Sequence, residues 1–449
     1  SAIGLERSRP RQPSGGMASR DDETRDDELR KRASVVLPNL THLNTRLYPA
    51  HYSQFFASAR GCHVTDVNGK TYTDYMCSFG PILLGHRHPA VEAAASEQQE
   101  KGDCLLGPSE RMVELAELLV EITPFADWAM FQKNGSDATT LCVRLARMHT
   151  RKRYILRCPG SYHGASHTWM AGHGVLPEEQ SFQLHYEFND VDSVRKAVKK
   201  ADGDLAAIVV AAFRWDFFHD LELPTFDFAR SLRRICDETG AVLVLDDVRS
   251  CMRIDPRGSW NTLAPGIIPD LAAYCKGIAN GYPLAAVLGA GHLRKAAERT
   301  PSTGSFWCSA VPMAAAIATI RTIISEDVVG ATSASGQRLR DGLRAQAQRF
   351  GLRVSCSGPV QMPLLTFEAD REAQPAGAGP QLDGWPRIRL WCSECARRGV
   401  WFHPFHNNFL CAAHTFDVID ETLCVTEEAF RAVRESLGGD GGAIPTGKL

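Results

Sequence analysis

A lysine and an aspartate each follow a short apolar segment in the middle of the chain. Lys276 comes directly after residues 271–275, and Asp246 comes directly after residues 241–245. Ligands of open α/β sheets bind beyond the carboxyl ends of the strands, where both side chains would reach them. Burial lowers the pKa of a lysine and frees its amine to form a Schiff base, while a carboxylate can hold a proton on a pyridine nitrogen. Taken singly, each residue is also explained as a loop or capping residue, and Asp247 offers a second acid.

Two further segments contain residue types that suit a bound cofactor. Gly135 and Ser136 precede a predicted helix, where backbone N–H groups bind phosphate and glycine allows close approach. Tyr162 follows a predicted strand, so its ring can stack on a heteroaromatic cofactor. The structural alternatives are a plain turn with a serine cap and a packed loop aromatic. The combined order of phosphate turn, aromatic, acid and lysine is that of fold-type I enzymes that use pyridoxal 5'-phosphate (PLP).

Composition excludes several other classes of protein. The 449 residues contain 50 Lys and Arg against 52 Asp and Glu, so no general field attracts nucleic acid or an anionic membrane. No apolar run approaches the roughly 18 residues of a membrane span. The 14 cysteines are scattered, which favours a reducing compartment, and we expect a cytoplasmic protein. Cys392 and Cys395 form a single CxxC without the second pair of a zinc ribbon, so we expect no metal site.

The elements that would hold these residues alternate between helix and strand. After a charged helix at residues 21–32, Asn68-Gly69 predicts a hairpin between residues 64–66 and 71–75. Apolar strands are predicted at residues 128–132, 154–157, 205–212, 241–245, 271–275 and 284–288, with helices such as 90–100, 110–122, 136–150, 191–199 and 226–239 between them. This pattern predicts an α/β fold with a large, mostly parallel sheet.

The remaining segments predict how the chain divides into domains. Helices are predicted at residues 310–325 and 337–350, a loop at 368–385, and helix, short strands and helix at 388–436. We expect a leader or disordered arm at residues 1–16. The resemblance to fold-type I PLP enzymes implies a large PLP-binding domain at 84–325, with residues 17–83 and 326–449 forming a small α+β domain from both chain ends.

The motifs around these residues resemble those of the class III aminotransferases, in the branch of glutamate-1-semialdehyde aminomutase. The resemblance covers residues 32–436 and is carried by KNGSDATTLCVRLAR (133–147), SYHGASH (161–167), LVLDDVRSCMR (243–253), PDLAAYCKGIANGYPLAAVLG (269–289) and FLCAAHT (409–415). DYMCSFGPILLG, DWAMFQKNGSDAT and TGSFWCSAVPMAAAIATI are similar to segments of bacterial fumonisin-detoxifying aminotransferases. The resemblance implies fold type I, PLP as cofactor, and a homodimer with active sites at the interface.

The resemblance also implies a role for each site residue. Lys276 would bind PLP covalently and move the proton, and Asp246 would pair with the pyridine nitrogen. Tyr162 and Val248 would cover the two faces of the ring.

The cofactor's phosphate would have two sources of ligands. Gly135 and Ser136 would bind it within one chain. Ser305 or Thr303 of the neighbouring subunit would complete the phosphate site, and we favour Ser305.

Some positions depart from the family pattern. Asp247 stands where the family usually has Glu, and Cys251 where it commonly has Gly. Phe409 occupies the position where amino-acid-specific relatives carry an arginine for the α-carboxylate of the substrate. With Phe79 and Trp307, Phe409 would line an apolar donor pocket.

We therefore expect transamination from a bulky or long-chain primary amine, such as the aminopolyol of hydrolysed fumonisin, to a keto acid such as pyruvate. The acceptor's carboxylate needs a cation, and Arg214 and Arg249 are the candidates. The alternatives are an aminomutase of the glutamate-1-semialdehyde type, a β-amino-acid aminotransferase, and a catalytically silent PLP-fold binding protein.

Overall fold

The computed structural model describes residues 24–38, 52–170, 174–215, 219–373 and 384–437. The predicted leader at residues 1–16 lies outside these ranges. Within them, no helix combines the length and apolar character that crossing a membrane requires.

Thirteen strands are found in the described ranges, and they form three sheets. The strands are β1 (Phe56–Arg60), β2 (His63–Asp66), β3 (Thr71–Asp74), β4 (Trp128–Gln132), β5 (Tyr154–Arg157), β6 (Gln183–His185), β7 (Leu205–Ala211), β8 (Val242–Asp246), β9 (Leu271–Tyr274), β10 (Ala285–Gly289), β11 (Val354–Ser357), β12 (Leu364–Phe367) and β13 (Val400–Trp401).

The helices of the described ranges are α1 (Arg25–Val36), α2 (Pro89–Lys101), α3 (Glu110–Ile122), α4 (Gly135–Thr150), α5 (Val191–Ala201), α6 (Phe226–Thr239), α7 (Trp260–Leu263), α8 (Arg294–Arg299), α9 (Ala310–Ser325), α10 (Val328–Arg349), α11 (Glu368–Glu372), α12 (Pro386–Arg397) and α13 (Phe416–Ser436).

The large sheet has seven strands in the order β4-β10-β9-β8-β7-β5-β6. Strands β9, β8, β7, β5 and β6 run parallel, and β10 is antiparallel to both of its neighbours. Every residue of β8, β9 and β10 is buried, because helices cover both faces of the sheet. This arrangement confirms the predicted α/β fold with a mostly parallel sheet. It also brings the carboxyl ends of β5, β7, β8 and β9 to one edge.

A smaller sheet joins the two ends of the chain. The predicted hairpin forms from β2 and β3, and Gly69 at its turn has a φ of +87°. Strand β13 pairs in parallel with β3, with Val400 opposite Thr73. Helices α12 and α13 pack against each other beside this sheet. The pairing of β13 with β3 is consistent with a small domain built from both chain ends. The domain boundaries at residues 83/84 and 325/326 stay predictions.

Two helices differ from the sequence-based expectation. Helix α10 begins at Val328 rather than at 337, and the Asp327 side chain caps it by accepting from the Gly330 amide. Gly336 lies inside this helix. A Cβ at this position would come 2.2 Å from the Val360 carbonyl oxygen, so the helix packs closely against that backbone. That glycine therefore marks a close backbone approach and not a helix end. A short helix, α11, occupies the start of the predicted loop at 368–385, most of which lies outside the described ranges.

Candidate active site

A cavity of about 270 Å³ opens at the carboxyl edge of the large sheet. It lies where the loops after β5, β7, β8 and β9 meet the N-terminus of α4, which is where ligands of open α/β sheets bind. The lining residues are Asn134, Gly135, Ser136, Ser161, Tyr162, His163, Gly164, Ala211, Ala212, Phe213, Trp215, Asp246, Val248, Arg249, Ser250, Cys275 and Lys276. Six residues chosen from the sequence as cofactor ligands are thus brought together around one space.

Lys276 reaches this cavity from a strained position. It follows β9 in a left-handed backbone conformation with a φ of +47°, at the start of a short 3₁₀ helix. Such strain in a residue other than glycine is typical of functional sites. Burial, and then the positive charge of Arg249, lowers the pKa of Lys276 to about 7. A large fraction of the amine is therefore neutral, and nucleophilic, at physiological pH.

Asp246 ends β8 and is held from two sides. Its Oδ1 accepts a hydrogen bond from the Val248 amide at 3.1 Å, and its Oδ2 lies 2.7 Å from Nδ1 of His163. His163 is buried, and its Nε2 has no partner among the described residues, which puts the ring proton on Nδ1. His163 therefore donates to Asp246 and orients the carboxylate.

Asp247, the alternative acid, faces a different environment. Its carboxylate accepts from the Ser259 hydroxyl at 2.6 Å and from the Ser259 amide at 2.8 Å, and it does not line the cavity. Burial raises the pKa of Asp247 to about 7. Of the two adjacent acids, Asp246 is the one positioned to meet a ligand.

The N-terminus of α4 forms the opposite end of the cavity. The Asn134 side chain caps the helix by accepting from the Asp137 amide, which leaves the amides of the first turn at Gly135 and Ser136 without intrahelical acceptors. A Cβ on Gly135 would lie 2.7 Å from Cγ1 of Val248, so only glycine lets the two segments approach this closely. Amides without intrahelical acceptors and the positive end of the helix dipole make this turn a candidate anion site.

Tyr162 and Val248 supply cavity walls of different character. The Tyr162 side chain is 56% exposed, while Val248 is half-buried beside Gly135. Both line the cavity, as the resemblance implies for residues that cover a cofactor ring.

Four predicted residues lie outside the cavity lining. Phe409 is completely buried, with the Arg253 guanidinium 5.0 Å from its ring centre. A Cβ on Gly80 would lie 2.9 Å from the Phe409 ring and 3.4 Å from Cδ of Lys276, so Phe409 packs behind the lysine and does not face the open space. Ser305 and Trp307 lie on the segment before α9, with Ser305 exposed, and Phe79 packs against the ring of His406 at 5.4 Å.

The cavity also contains residues that were not among the predicted cofactor ligands. His163 lies in the same SYHGASH motif as Tyr162, but its contact with Asp246 joins segments far apart in the chain. Trp215 has no sequence signal at all, and Arg249 was one of two candidates for the acceptor's carboxylate. The ring of Trp215 lies 4.1 Å from the Arg249 guanidinium.

One cluster of potential metal ligands occurs among the described residues. Cys77, Cys411 and His414 have ligand atoms within 4.8 Å of one another, and all three are buried outside the cavity lining. Nδ1 of His414 accepts from the Cys411 amide at 2.9 Å, which stabilises the turn that follows Phe409.

The cavity passes a physical test of fit for PLP. The N-terminus of α4 suits the phosphate, and the oriented Asp246 carboxylate suits the pyridine nitrogen. The half-buried Lys276 amine, with its lowered pKa, suits the aldehyde. Gly135 leaves room that a side chain would fill.

Comparison with known proteins agrees with this fit. The family model for class III aminotransferases matches residues 48–433. The chain is 46% identical over 417 residues to an aminopentol aminotransferase of Sphingopyxis macrogoltabida, covering 91% of this chain and 94% of that protein. It is 31% identical to a glutamate-1-semialdehyde 2,1-aminomutase of Chloroflexus aggregans, covering 84% of this chain and 90% of that one.

A solved structure gives the same result. The PLP internal aldimine form of the FumI protein of Sphingopyxis sp. MTA144 superposes with a TM-score of 0.87 at 45% identity, covering 93% of this chain and 98% of that one. The fold, the cavity and the family match lead to one conclusion: this chain belongs to the class III aminotransferases and is a PLP-dependent enzyme that transfers an amino group from an amine donor to a keto-acid acceptor.

Proposed function

We propose that the donor is a long-chain primary amine without an α-carboxylate, such as the aminopolyol of hydrolysed fumonisin, and that the acceptor is a short keto acid such as pyruvate. The observation that carries this proposal is the 46% identity to an aminopentol aminotransferase over nearly the whole chain. The residue type at position 409 supports it, because this chain has a buried phenylalanine where amino-acid-specific relatives carry an arginine for the donor carboxylate. The neighbouring Arg253 already donates to the carbonyls of Leu410, Gly80 and Ile82.

The site residues divide the work of binding the cofactor. Gly135 and Ser136 would hold the phosphate at the N-terminus of α4. Asp246, oriented by His163, would hold a proton on the pyridine nitrogen. Tyr162 and Val248 would cover the ring. When bound, PLP supplies an electron sink for the negative charge that develops on the donor carbon.

Lys276 moves the proton during the reaction. Its Nζ takes a proton from the carbon that bears the donor's amino group and delivers it to the cofactor side of the site, as a general base and then a general acid. A base works best when its pKa lies near the operating pH, and the pKa of Lys276 is about 7.

A panel of amine donors with pyruvate tests the proposed substrates. We expect alanine to form one-for-one with the ketone product, and kcat/KM for long-chain amines to exceed that for glutamate and β-phenylalanine. Lys276→Ala is the control and forms no alanine. Preference for a dicarboxylic or β-amino donor would contradict the proposal.

An aminomutase is the second candidate, favoured by the 31% identity to glutamate-1-semialdehyde aminomutases. The same panel distinguishes it, because an aminomutase would isomerise glutamate-1-semialdehyde without any added keto acid.

We also propose a homodimer in which Ser305 or Thr303 reaches the phosphate of the neighbouring subunit. Support comes from the exposed Ser305 and from exposed apolar side chains at Leu106 and Phe306, which an interface would bury. Sedimentation analysis tests the mass. The variant Ser305→Ala should weaken PLP binding more than Thr303→Val, and the reverse order would favour Thr303.

We propose the cytoplasm as the site of action. The support is that all 14 cysteines are free thiols, as in a reducing compartment. Fractionation of the source cells with an antibody against the protein tests this localisation.

A further inference from the structure

Arg249 is a half-buried cation in the wall of the active-site cavity. It lies two residues after Asp247 and lines the same space as Lys276 and Asp246. Burial lowers the pKa of Arg249 only to about 10, so the guanidinium remains charged at neutral pH. A charge in such a position is costly unless a partner of opposite sign meets it.

The partners of Arg249 within the described residues are all neutral. Its Nη1 donates to the Asn407 side-chain oxygen and lies 3.2 Å from Nε2 of His406. Nδ1 of His406 lies 2.7 Å from the Asn407 carbonyl and donates to it, so Nε2 accepts from the arginine. Burial holds the pKa of His406 well below its usual range, which keeps the imidazole uncharged. The guanidinium also stacks on Trp215 at 4.1 Å.

The two nearby acids are engaged elsewhere. Asp246 accepts from His163 and from the Val248 amide, and Asp247 accepts from Ser259. Neither carboxylate forms an ion pair with Arg249 among the described residues. The cavity therefore contains a guanidinium that is oriented by three neutral side chains and forms no ion pair within the described residues, while the Asp246 carboxylate acts on it only through its charge.

The position of this charge fits one part of the reaction. An α-keto acid has its carboxylate on the carbon next to the carbonyl that receives the amino group, so its cation must lie close to the reacting atoms. Arg249 is close enough to Lys276 to lower the pKa of the lysine. The other candidate, Arg214, pairs with Glu222 at 3.6 Å and does not line the cavity.

We propose that Arg249 binds the carboxylate of the keto-acid acceptor, and that Trp215, His406 and Asn407 hold the guanidinium in place while the uncharged chain of the donor occupies the site. This assignment rests on the proposed function only in that the second substrate is a keto acid. The space beside Arg249 would then hold the carboxylate of the keto acid in one half-reaction and the uncharged chain of the amine donor in the other. The acceptor class is then a short α-keto monoacid.

The test measures the two half-reactions separately on the holoenzyme, by cofactor absorbance. Arg249→Met should raise the pyruvate concentration for half-maximal rate by about 100-fold or more, since the cation that pairs with the carboxylate is removed. Any effect of the variant on the pKa of Lys276 is common to both acceptors, so the rate with propanal, an acceptor without a carboxylate, should fall far less than the rate with pyruvate. Arg249→Lys should recover part of the pyruvate binding, because the charge returns without the planar fork.

Equilibrium binding gives a readout that does not depend on turnover. Propionate, an unreactive carboxylate, should bind the unmodified holoenzyme in a calorimetric titration and should not bind Arg249→Met. Arg214→Met is the matched control and should bind propionate normally. Equal losses with pyruvate and propanal in Arg249→Met, or loss of propionate binding only in Arg214→Met, would overturn the assignment. An enzyme that binds propionate through Arg249 but transaminates no amine would contradict the proposed function and leave the assignment standing.

Discussion

Nδ1 of His163 lies 2.7 Å from Oδ2 of Asp246, and both residues are buried beside the cavity. The contact links the loop after β5 to the end of β8, across the intervening strand β7. The Thr139 hydroxyl of α4 donates to the His163 carbonyl at 2.6 Å, which ties the same loop to the phosphate turn. The pyridine end and the phosphate end of the site are thus connected through His163.

Replacing His163 should slow catalysis without removing the cofactor. In His163→Phe the Asp246 carboxylate loses a charged hydrogen bond, a loss that corresponds to about a ten- to hundredfold fall in single-turnover rate. His163→Asn is the matched variant, because its amide can donate from nearly the same place, and it should retain more of the rate. Equal rates in His163→Phe and the unmodified enzyme would show that the contact has no catalytic role.

The two adjacent acids should fail in different ways. Asp246→Asn should bind PLP but lose most of its single-turnover rate, because an amide cannot keep the pyridine nitrogen protonated. Asp247→Asn should keep its rate but unfold more easily, by about 1–3 kcal/mol, since it loses buried hydrogen bonds to Ser259. Thermal unfolding and stopped-flow absorbance measure the two effects. A slow Asp247→Asn with a normal Asp246→Asn would reverse the assignment.

Capture of PLP by the cofactor-free protein should depend on pH through Lys276. The pKa of this lysine is lowered to about 7, so the fraction of reactive neutral amine rises about tenfold per pH unit below 7 and levels off above it. An ordinary lysine would give a capture rate that keeps rising towards pH 10. Arg249→Met removes a positive neighbour and should move the midpoint to higher pH. A midpoint near 10 in the unmodified protein would contradict the lowered pKa of Lys276.

Gly135, at the N-terminus of α4, should not tolerate replacement by a residue with a side chain. In Gly135→Ala the new Cβ would meet Val248 at 2.7 Å, so either the turn or the valine must shift. We expect the dissociation constant of PLP to rise by about tenfold or more, in line with a 1–3 kcal/mol cost of overpacking. Gly107→Ala is the control, because its Cβ would have nothing within 4 Å. Equal PLP affinity in both variants would mean that the turn is not tightly packed.

The sequence predicted the large sheet and the residues at its strand ends because both follow from local patterns. Buried parallel strands form continuous apolar runs, and a polar residue directly after such a run must lie at the sheet edge. The contact of His163 with Asp246 and the stacking of Trp215 on Arg249 depend on how distant segments pack, so no local pattern reveals them. The burial of Phe409 could not be predicted for the same reason. Its position in the motif is visible in the sequence, but its burial depends on the close packing of its ring against Gly80, which is far away in the chain. The predicted start of α10 at residue 337 was wrong, because a glycine inside a helix, such as Gly336, and a glycine at a helix end look alike in sequence.

Chemical trapping of the cofactor tests the central claim most directly. Borohydride reduction of the holoenzyme fixes PLP to the amine that holds it, and peptide mass spectrometry then identifies the residue. We predict that the added mass lies on Lys276 alone, that Lys276→Ala carries none, and that this variant forms no alanine from pyruvate with any donor. Trapping on another lysine, or full transaminase activity in Lys276→Ala, would contradict the account.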